Sequence, residues 1–215
     1  MIYILDIFGT LAFAISGAFR AVKHELDLLG VLTLATVTGI AGGIIRDTIL
    51  GATPPVSLLD YWYVLICLAG GGVVFIAAPK IATKWDYVMI ADAIGLSVFT
   101  AIGASKAESY NAVPLTVILM AMITSCGGGV IRDLLVTEIP SILKRDFYAS
   151  AALCGGVLFV LLGYIDMNNS VRIACTIGFT FIMRVLAMRY CLSLPKVKPL
   201  NASVSQIVRM RKKAL

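Results

Sequence analysis

Gly42-Gly43-Ile44-Ile45-Arg46-Asp47 and Gly128-Gly129-Val130-Ile131-Arg132-Asp133 are near copies of one another, 86 positions apart. Each sets glycines and an Arg-Asp pair inside a run apolar enough to cross a membrane. In a helix interior a glycine costs about 1 kcal/mol relative to alanine, and charge within hydrocarbon is costlier still. A chain that carries both features twice, at one spacing, points to polar helices broken at glycine that serve a function.

The composition around the two blocks agrees. The chain is 60% hydrophobic and 14% charged, with mean hydropathy +0.95; soluble domains carry about 25% charged residues. Apolar stretches fall near 2–22, 28–50, 59–78, 87–105, 114–136, 148–166 and 171–191. Most reach the ~20 residues that cross a ~30 Å hydrocarbon core. The expected fold is therefore an all-α membrane protein with seven transmembrane helices; a β-barrel would alternate in ten-residue segments. The first stretch reads as a span and not as a cleaved signal, because no basic region precedes it and Asp6 stands where Lys or Arg would be expected.

Sliding the chain by 86 positions lays the first three spans on the next three. Asp6 meets Asp92, Gly9 meets Gly95, Phe13 meets Phe99, Gly17 meets Gly103 and Thr38 meets Thr124; Pro54, Asp60 and Gly70 meet Pro140, Asp146 and Gly156. An odd number of spans per unit predicts that the second copy inserts upside down, as in inverted-repeat membrane folds. The predicted organisation is a first three-helix repeat over 1–80, an inverted second over 87–166, a seventh helix over 171–191, and a basic cytoplasmic tail over 192–215.

Positive charge sets the orientation. With the N-terminus outside and the C-terminus cytoplasmic, the inner side gathers Arg20 and Lys23, Lys80 and Lys84, Lys144 and Arg145, and the tail residues Lys196, Lys198, Arg209, Arg211, Lys212 and Lys213. Lys106 and Arg172 stand outside. The tail suits anionic headgroups; no aromatic residues interleave it, so the net charge of +6 does not suggest nucleic acid. Tyr61, Trp62, Tyr63, Trp85 and Tyr87 sit at span ends, where amphipathic rings favour the interface.

The expected pathway lies where spans 2 and 5 meet, with kinks at Gly42-Gly43 and Gly128-Gly129 and with Thr38 and Thr124 as lining hydroxyls. Close helix packing is the competing reading of these glycines. It is the preferred reading for Gly70-Gly71-Gly72 and Gly155-Gly156, which have no nearby charge. Arg46 and Arg132 either snorkel to headgroups or pair with acids. Arg46 and Asp47, as helix neighbours, point apart, so the candidate partners are Asp6 and Asp92, or Asp60 and Asp146. Arg46-Asp47 and Arg132-Asp133 would then mark the two pore mouths. Arg184 in the seventh span has no counterpart and is expected to snorkel inward. Five cysteines without CxxC spacing read as small buried hydrophobes, and His24 reads as a loop residue and not a ligand. No cofactor, metal site or catalytic motif is indicated: there is no Walker loop, HExxH or nucleophile elbow.

Two three-span repeats, a seventh span and a Gly-Gly-x-Ile-Arg-Asp block in spans 2 and 5 resemble the prokaryotic members of the trimeric intracellular cation channel (TRIC) family. The resemblance covers residues 2–191, and the first block departs from the second in having Ala41 where the second has Gly127. It implies a homotrimer with one potassium-permeable pore in each subunit around kinked spans 2 and 5, also passing sodium. In animal relatives a phosphoinositide binds near each pore; this chain lacks an evident lysine-rich motif in its second span. The alternative left open is a secondary transporter of a small solute such as glycine, because inverted repeats with broken helices serve transporters as well.

Overall fold

The computed structural model describes residues 2–81, 85–144 and 147–190. The side chains of Lys80, Lys84, Trp85, Tyr87, Lys144, Arg145 and Asp146, together with Cys191 and the basic tail, lie outside that description. Every regular element among the described residues is helical: α1 (Ile2–Lys23), α2 (Leu28–Ile49), α3 (Val56–Leu59), α4 (Tyr61–Ile81), α5 (Trp85–Ser109), α6 (Pro114–Leu135), α7 (Ser141–Lys144), α8 (Ala149–Tyr164) and α9 (Asn169–Arg189). Five of these, α1, α2, α5, α6 and α9, are long and apolar enough to cross a membrane, and two shorter apolar helices run over Tyr61–Ala77 and Ala149–Tyr164.

Local chemistry sets the helix ends. Asp27 caps α2 by accepting from the Gly30 N–H at 2.7 Å. Asn168 caps α9 through Ser170, and Pro114 opens α6 where its missing N–H is not needed. After α2 the chain turns at Gly51 (φ 74°), and the Ala52 N–H reaches back to the Asp47 carbonyl. After α6 the same turn is made at Thr137 (φ 56°), with the Glu138 N–H on the Asp133 carbonyl. Glu25 and Asn111, equally spaced, close α1 and α5 at φ 55° and 54°.

The duplication extends to packing. α1, α2 and α4 pack together, as do α5, α6 and α8, while α9 lies against α5 and α8. Two helix pairs join the halves. In the first, a Cβ on Gly42 of α2 would meet the Thr124 carbonyl of α6, and one on Gly128 would meet the Thr38 carbonyl. In the second, Gly9 of α1 faces Val98 and Phe99 of α5, and Gly95 faces Phe13. Numbers rise on one helix as they fall on its partner, so both pairs cross antiparallel.

The register of the repeat slips once. Pro55 and Pro140, not Pro54 and Pro140, precede the short helices: Leu58 N–H bonds to the Pro55 carbonyl and Leu143 N–H to the Pro140 carbonyl, both at 2.9 Å. From there the halves match at a spacing of 85. Gly71 faces Leu32 and Ala35, as Gly156 faces Ile118 and Ala121. One residue dropped from a surface loop changes no packing, so the apolar third helix hides the slip in sequence. Gly70, Gly71, Gly155 and Gly156 are packing surfaces, whereas Gly72 faces nothing within 4 Å.

Candidate functional site: two buried ion clusters joined by an antiparallel core

Each Arg-Asp pair closes on itself. Arg46 Nε donates to Asp47 Oδ1 at 2.7 Å, and Arg132 Nε donates to Asp133 Oδ1 at 2.9 Å. This corrects the expectation that helix neighbours point apart. The rule concerns Cβ directions, and an arginine is long enough to fold sideways along its own helix. The fold occurs here because each aspartate is held from its other side: Asp47 Oδ2 accepts the Val56 N–H at 3.1 Å and Asp133 Oδ2 the Ser141 N–H at 2.7 Å. Each carboxylate thus ties the loop back onto its helix.

The arginines are 2% exposed and do not snorkel. Arg132 Nη1 donates to Asp92 Oδ1 at 2.6 Å and to Ser16 Oγ at 2.7 Å, and Ser16 Oγ donates to Asp92 at 3.2 Å. Arg46 is held more loosely: its Nη2 lies 3.8 Å from Asp6 Oδ2, and its Nη1 has no partner among the described residues. The Tyr63 hydroxyl donates to Asp6 at 3.1 Å. Asp6 and Asp92 are therefore the arginines' partners; Asp60 instead accepts from the Tyr3 hydroxyl at 2.7 Å, and Asp146 lies outside the described residues.

A basic residue from the opposite half completes each cluster. Lys106 of α5 donates to Asp47 at 2.7 Å, and Arg20 of α1 donates to Asp133 at 3.2 Å. In sequence Lys106 reads as an outer charge and Arg20 as an orientation signal, and their common spacing of 86 is the clue that links them. One cluster then extends into its loop: Arg20 and His24 hold Glu138 at 3.0 and 2.9 Å, with Lys23 at 3.7 Å. His24 is thus a loop residue inside an ion network.

Glu138 lies beyond the end of α6. Partial burial pushes its carboxyl up, but the His24 hydrogen bond and the charges of Arg20, Lys23 and His24 outweigh this and hold it below the usual glutamate range. A carboxyl depressed on folding lends stability above its unfolded value, about 4.3, and loses it as pH falls through the folded value. Thermal stability of the purified protein should be level down to about pH 5 and fall below about pH 4. Glu138→Gln should soften that fall; an unchanged acid limb would refute the role.

The clusters differ in the space they leave. The Asp6–Arg46 end opens into a cavity of about 460 Å³ lined by Tyr3, Asp6, Arg46, Tyr63, Lys106 and Glu108, among others. Below it, Asp6, Thr10, Gly39, Gly43, Arg46 and Phe99 line a space of about 10 Å³, the size of one water. At the other end Ser16, Arg20, Asp92, Arg132 and Ser141 also leave about 10 Å³. Loose pairing thus goes with a large cavity and tight pairing with a small one.

The glycines of the two blocks divide by what they touch. Both α2 and α6 are α-helical without a break through them, and Gly42 and Gly128 lie where the two backbones touch. Gly43 faces only the Arg46 guanidinium at 3.7 Å, and Gly129 faces the Tyr148 hydroxyl. Thr38 and Thr124 are fully buried beside Gly17 and Gly103. The Thr38 hydroxyl bonds its own helix at the Leu34 carbonyl, 2.6 Å away, whereas that of Thr124 has no partner among the described residues. Arg184 does not snorkel: it is 3% exposed and lies over the Tyr148 ring, 4.9 Å from its centroid, where an apolar wall with a π face accepts a cation. Arg172 binds Glu108 at 2.7 Å from the first turn of α9.

A family model described as "Glycine transporter" matches residues 3–79 and 89–164. The inner membrane protein YadS of Escherichia coli K12, of the UPF0126 group, is 38% identical over 199 residues, covering 91% of this chain and 95% of its own. A TRIC cation channel structure superposes with TM-score 0.86 at 39% identity, over 93% of this chain and 98% of that one. The trimeric intracellular cation channel orthologue from Rhodobacter sphaeroides gives TM-score 0.85 at 35% identity, over 89% and 98%. A backbone that follows these channels over nearly its whole length, at 39% and 35% identity, makes the chain a prokaryotic member of the TRIC family.

Proposed function

We propose that this protein is a passive, potassium-permeable cation channel that also passes sodium. It acts as a homotrimer in the inner membrane with one pore in each subunit. The observation that carries the reading is the wide cavity lined by buried Asp6, with a water-sized space beside Gly39 and Gly43 that shares Asp6, Arg46 and Tyr63 with it, and with Asp92 in the equivalent place at the far end. Each end pairs its carboxylate with an arginine and is close to neutral, so on this reading a passing cation meets carboxylate oxygens where the Arg46–Asp6 and Arg132–Asp92 pairs loosen.

On this reading seven helices span the membrane as two inverted three-helix repeats and a closing seventh, N-terminus outside and C-terminus in the cytoplasm. The antiparallel crossings of α1 with α5 and of α2 with α6 support the inversion. The path enters past Arg46 and Gly43, runs between these two helix pairs and leaves past Arg132. Its inner end is narrowed to about one water by the Arg132–Asp92–Ser16 network, and α2 and α6 shift at their glycines when the path opens.

The purified protein in planar bilayers should give unitary current steps that reverse near the cation equilibrium potential in a KCl gradient. Saturable, gradient-coupled glycine uptake without steps would overturn the channel reading in favour of a transporter.

A further inference from the structure

α1 carries Asp6, Thr10, Phe13, Ser16 and Arg20 along one face, at intervals of three or four residues. The matching face of α5 carries Asp92, Leu96, Phe99, Ile102 and Lys106. Because the helices cross antiparallel, Asp6 and Lys106 reach the wide cavity while Arg20 and Asp92 reach the small one. Midway, the rings of Phe13 and Phe99 stack with centroids 5.4 Å apart and planes 11° apart, and both are 1% exposed. At 1.5 Å rise per residue, each ring lies about 10 Å along its helix from the charges on either side. The water-sized space below Asp6 ends on Phe99. Each ring rests on the other helix's glycine: Phe13 on Gly95 and Phe99 on Gly9.

A stacked aromatic pair in a core is ordinary packing. This one has polar, cavity-lining residues on both sides along the same two helix faces, so it separates two polar compartments and does not fill an apolar one.

We infer that the Phe13–Phe99 stack is the hydrophobic barrier of the permeation path, where water and ions are excluded until α1 and α5 part. A constriction walled by two rings cannot replace an ion's hydration shell, and a narrow apolar neck empties of water, so the pair seals without a plug. The inference rests on the channel reading, and its test separates the two.

In a cysteine-free background, Thr10→Cys reports the compartment on the Asp6 side and Ser16→Cys the one on the Arg132 side. Silver ion, small enough for a water-sized space and reactive towards thiols, is added to one face of proteoliposomes at a time. With both phenylalanines present, each cysteine should react from its own face only. Phe13→Ser with Phe99→Ser should raise labelling from the opposite face at least tenfold and potassium efflux by a similar factor; Phe13→Leu with Phe99→Leu should leave both low. Phe159→Ser, at a buried ring on α8 outside both cavities, controls for general loosening. Unchanged opposite-face labelling in the serine pair, or an equal rise in the Phe159 variant, overturns the barrier. Labelling that crosses in the serine pair while no variant carries cation current keeps the barrier and removes the channel reading. Cation current in the unmodified protein, with labelling and efflux indifferent to the serine pair, does the reverse.

Discussion

Arg132→Met is expected to destabilise the folded protein by about 3–5 kcal/mol, the range for removing one partner of a buried ion pair. The loss falls on Asp92. That carboxylate is 7% exposed and receives its 2.6 Å hydrogen bond from Arg132; without the guanidinium it keeps the weaker 3.2 Å bond from the Ser16 hydroxyl. Asp133 suffers less, because Arg20 and the Ser141 N–H still hold it. Replacing both partners, Arg132→Met with Asp92→Leu, should recover most of the loss, since apolar groups of similar volume substitute well for a buried pair. Thermal unfolding in detergent compares the three proteins. Equal destabilisation of the single and double variants would show that the arginine acts through its packing and not through the stranded charge. Arg46→Met should cost less, because Arg46 lies 3.8 Å from Asp6 and Asp6 keeps its bond from Tyr63.

The second large effect is steric. Gly42→Ala and Gly128→Ala each push a methyl onto a helix carbonyl, of Thr124 and Thr38 respectively. A backbone carbonyl inside an α-helix cannot give way without moving the helix, so each substitution should destabilise by about 1–3 kcal/mol, the usual range for overpacking. Two internal controls separate contact from flexibility. Gly43 adjoins Gly42 but meets only a guanidinium at 3.7 Å, and Gly72 meets nothing within 4 Å. Alanine at either should be neutral or, through helix propensity, stabilising by up to about 1 kcal/mol. If Gly43→Ala proves as harmful as Gly42→Ala, the glycines matter as hinges and the contact is incidental.

That contrast shows what could be read from sequence. The apolar runs foretold the long helices, and equal spacing narrowed the arginines' partners to Asp6 and Asp92 or Asp60 and Asp146 without choosing between them. Residue types at one offset also aligned α1 with α5 and α2 with α6. Three things were illegible for physical reasons. A one-residue slip in a loop leaves no mark on apolar helices that follow, so Gly70 was matched with Gly156 when packing equates Gly71 with it. A side chain that folds along its own helix defies the rule of facing positions, and this concealed both Arg-Asp bonds. Glycine next to glycine looks the same whether it loosens a helix or admits a neighbour; only the Thr124 and Thr38 carbonyls beside Gly42 and Gly128 distinguish them. The match of Phe13 with Phe99 was visible from the start, but in a chain this rich in apolar residues an aromatic coincidence carries little weight until the rings are found touching.

The glycine of each half meets the threonine carbonyl of the other, and the base of each half meets the other's aspartate. Every half is therefore plug and socket at once. A half-length chain able to enter the membrane in either direction would already own both sides of this joint, so joining two copies end to end would require no new contact to be invented. The two halves differ where Ser16 stands against Ile102, and where His24 holds Glu138 in one cluster while Tyr110 and Ala52 stand at the matching positions of the other. Those differences give the joint two distinguishable ends.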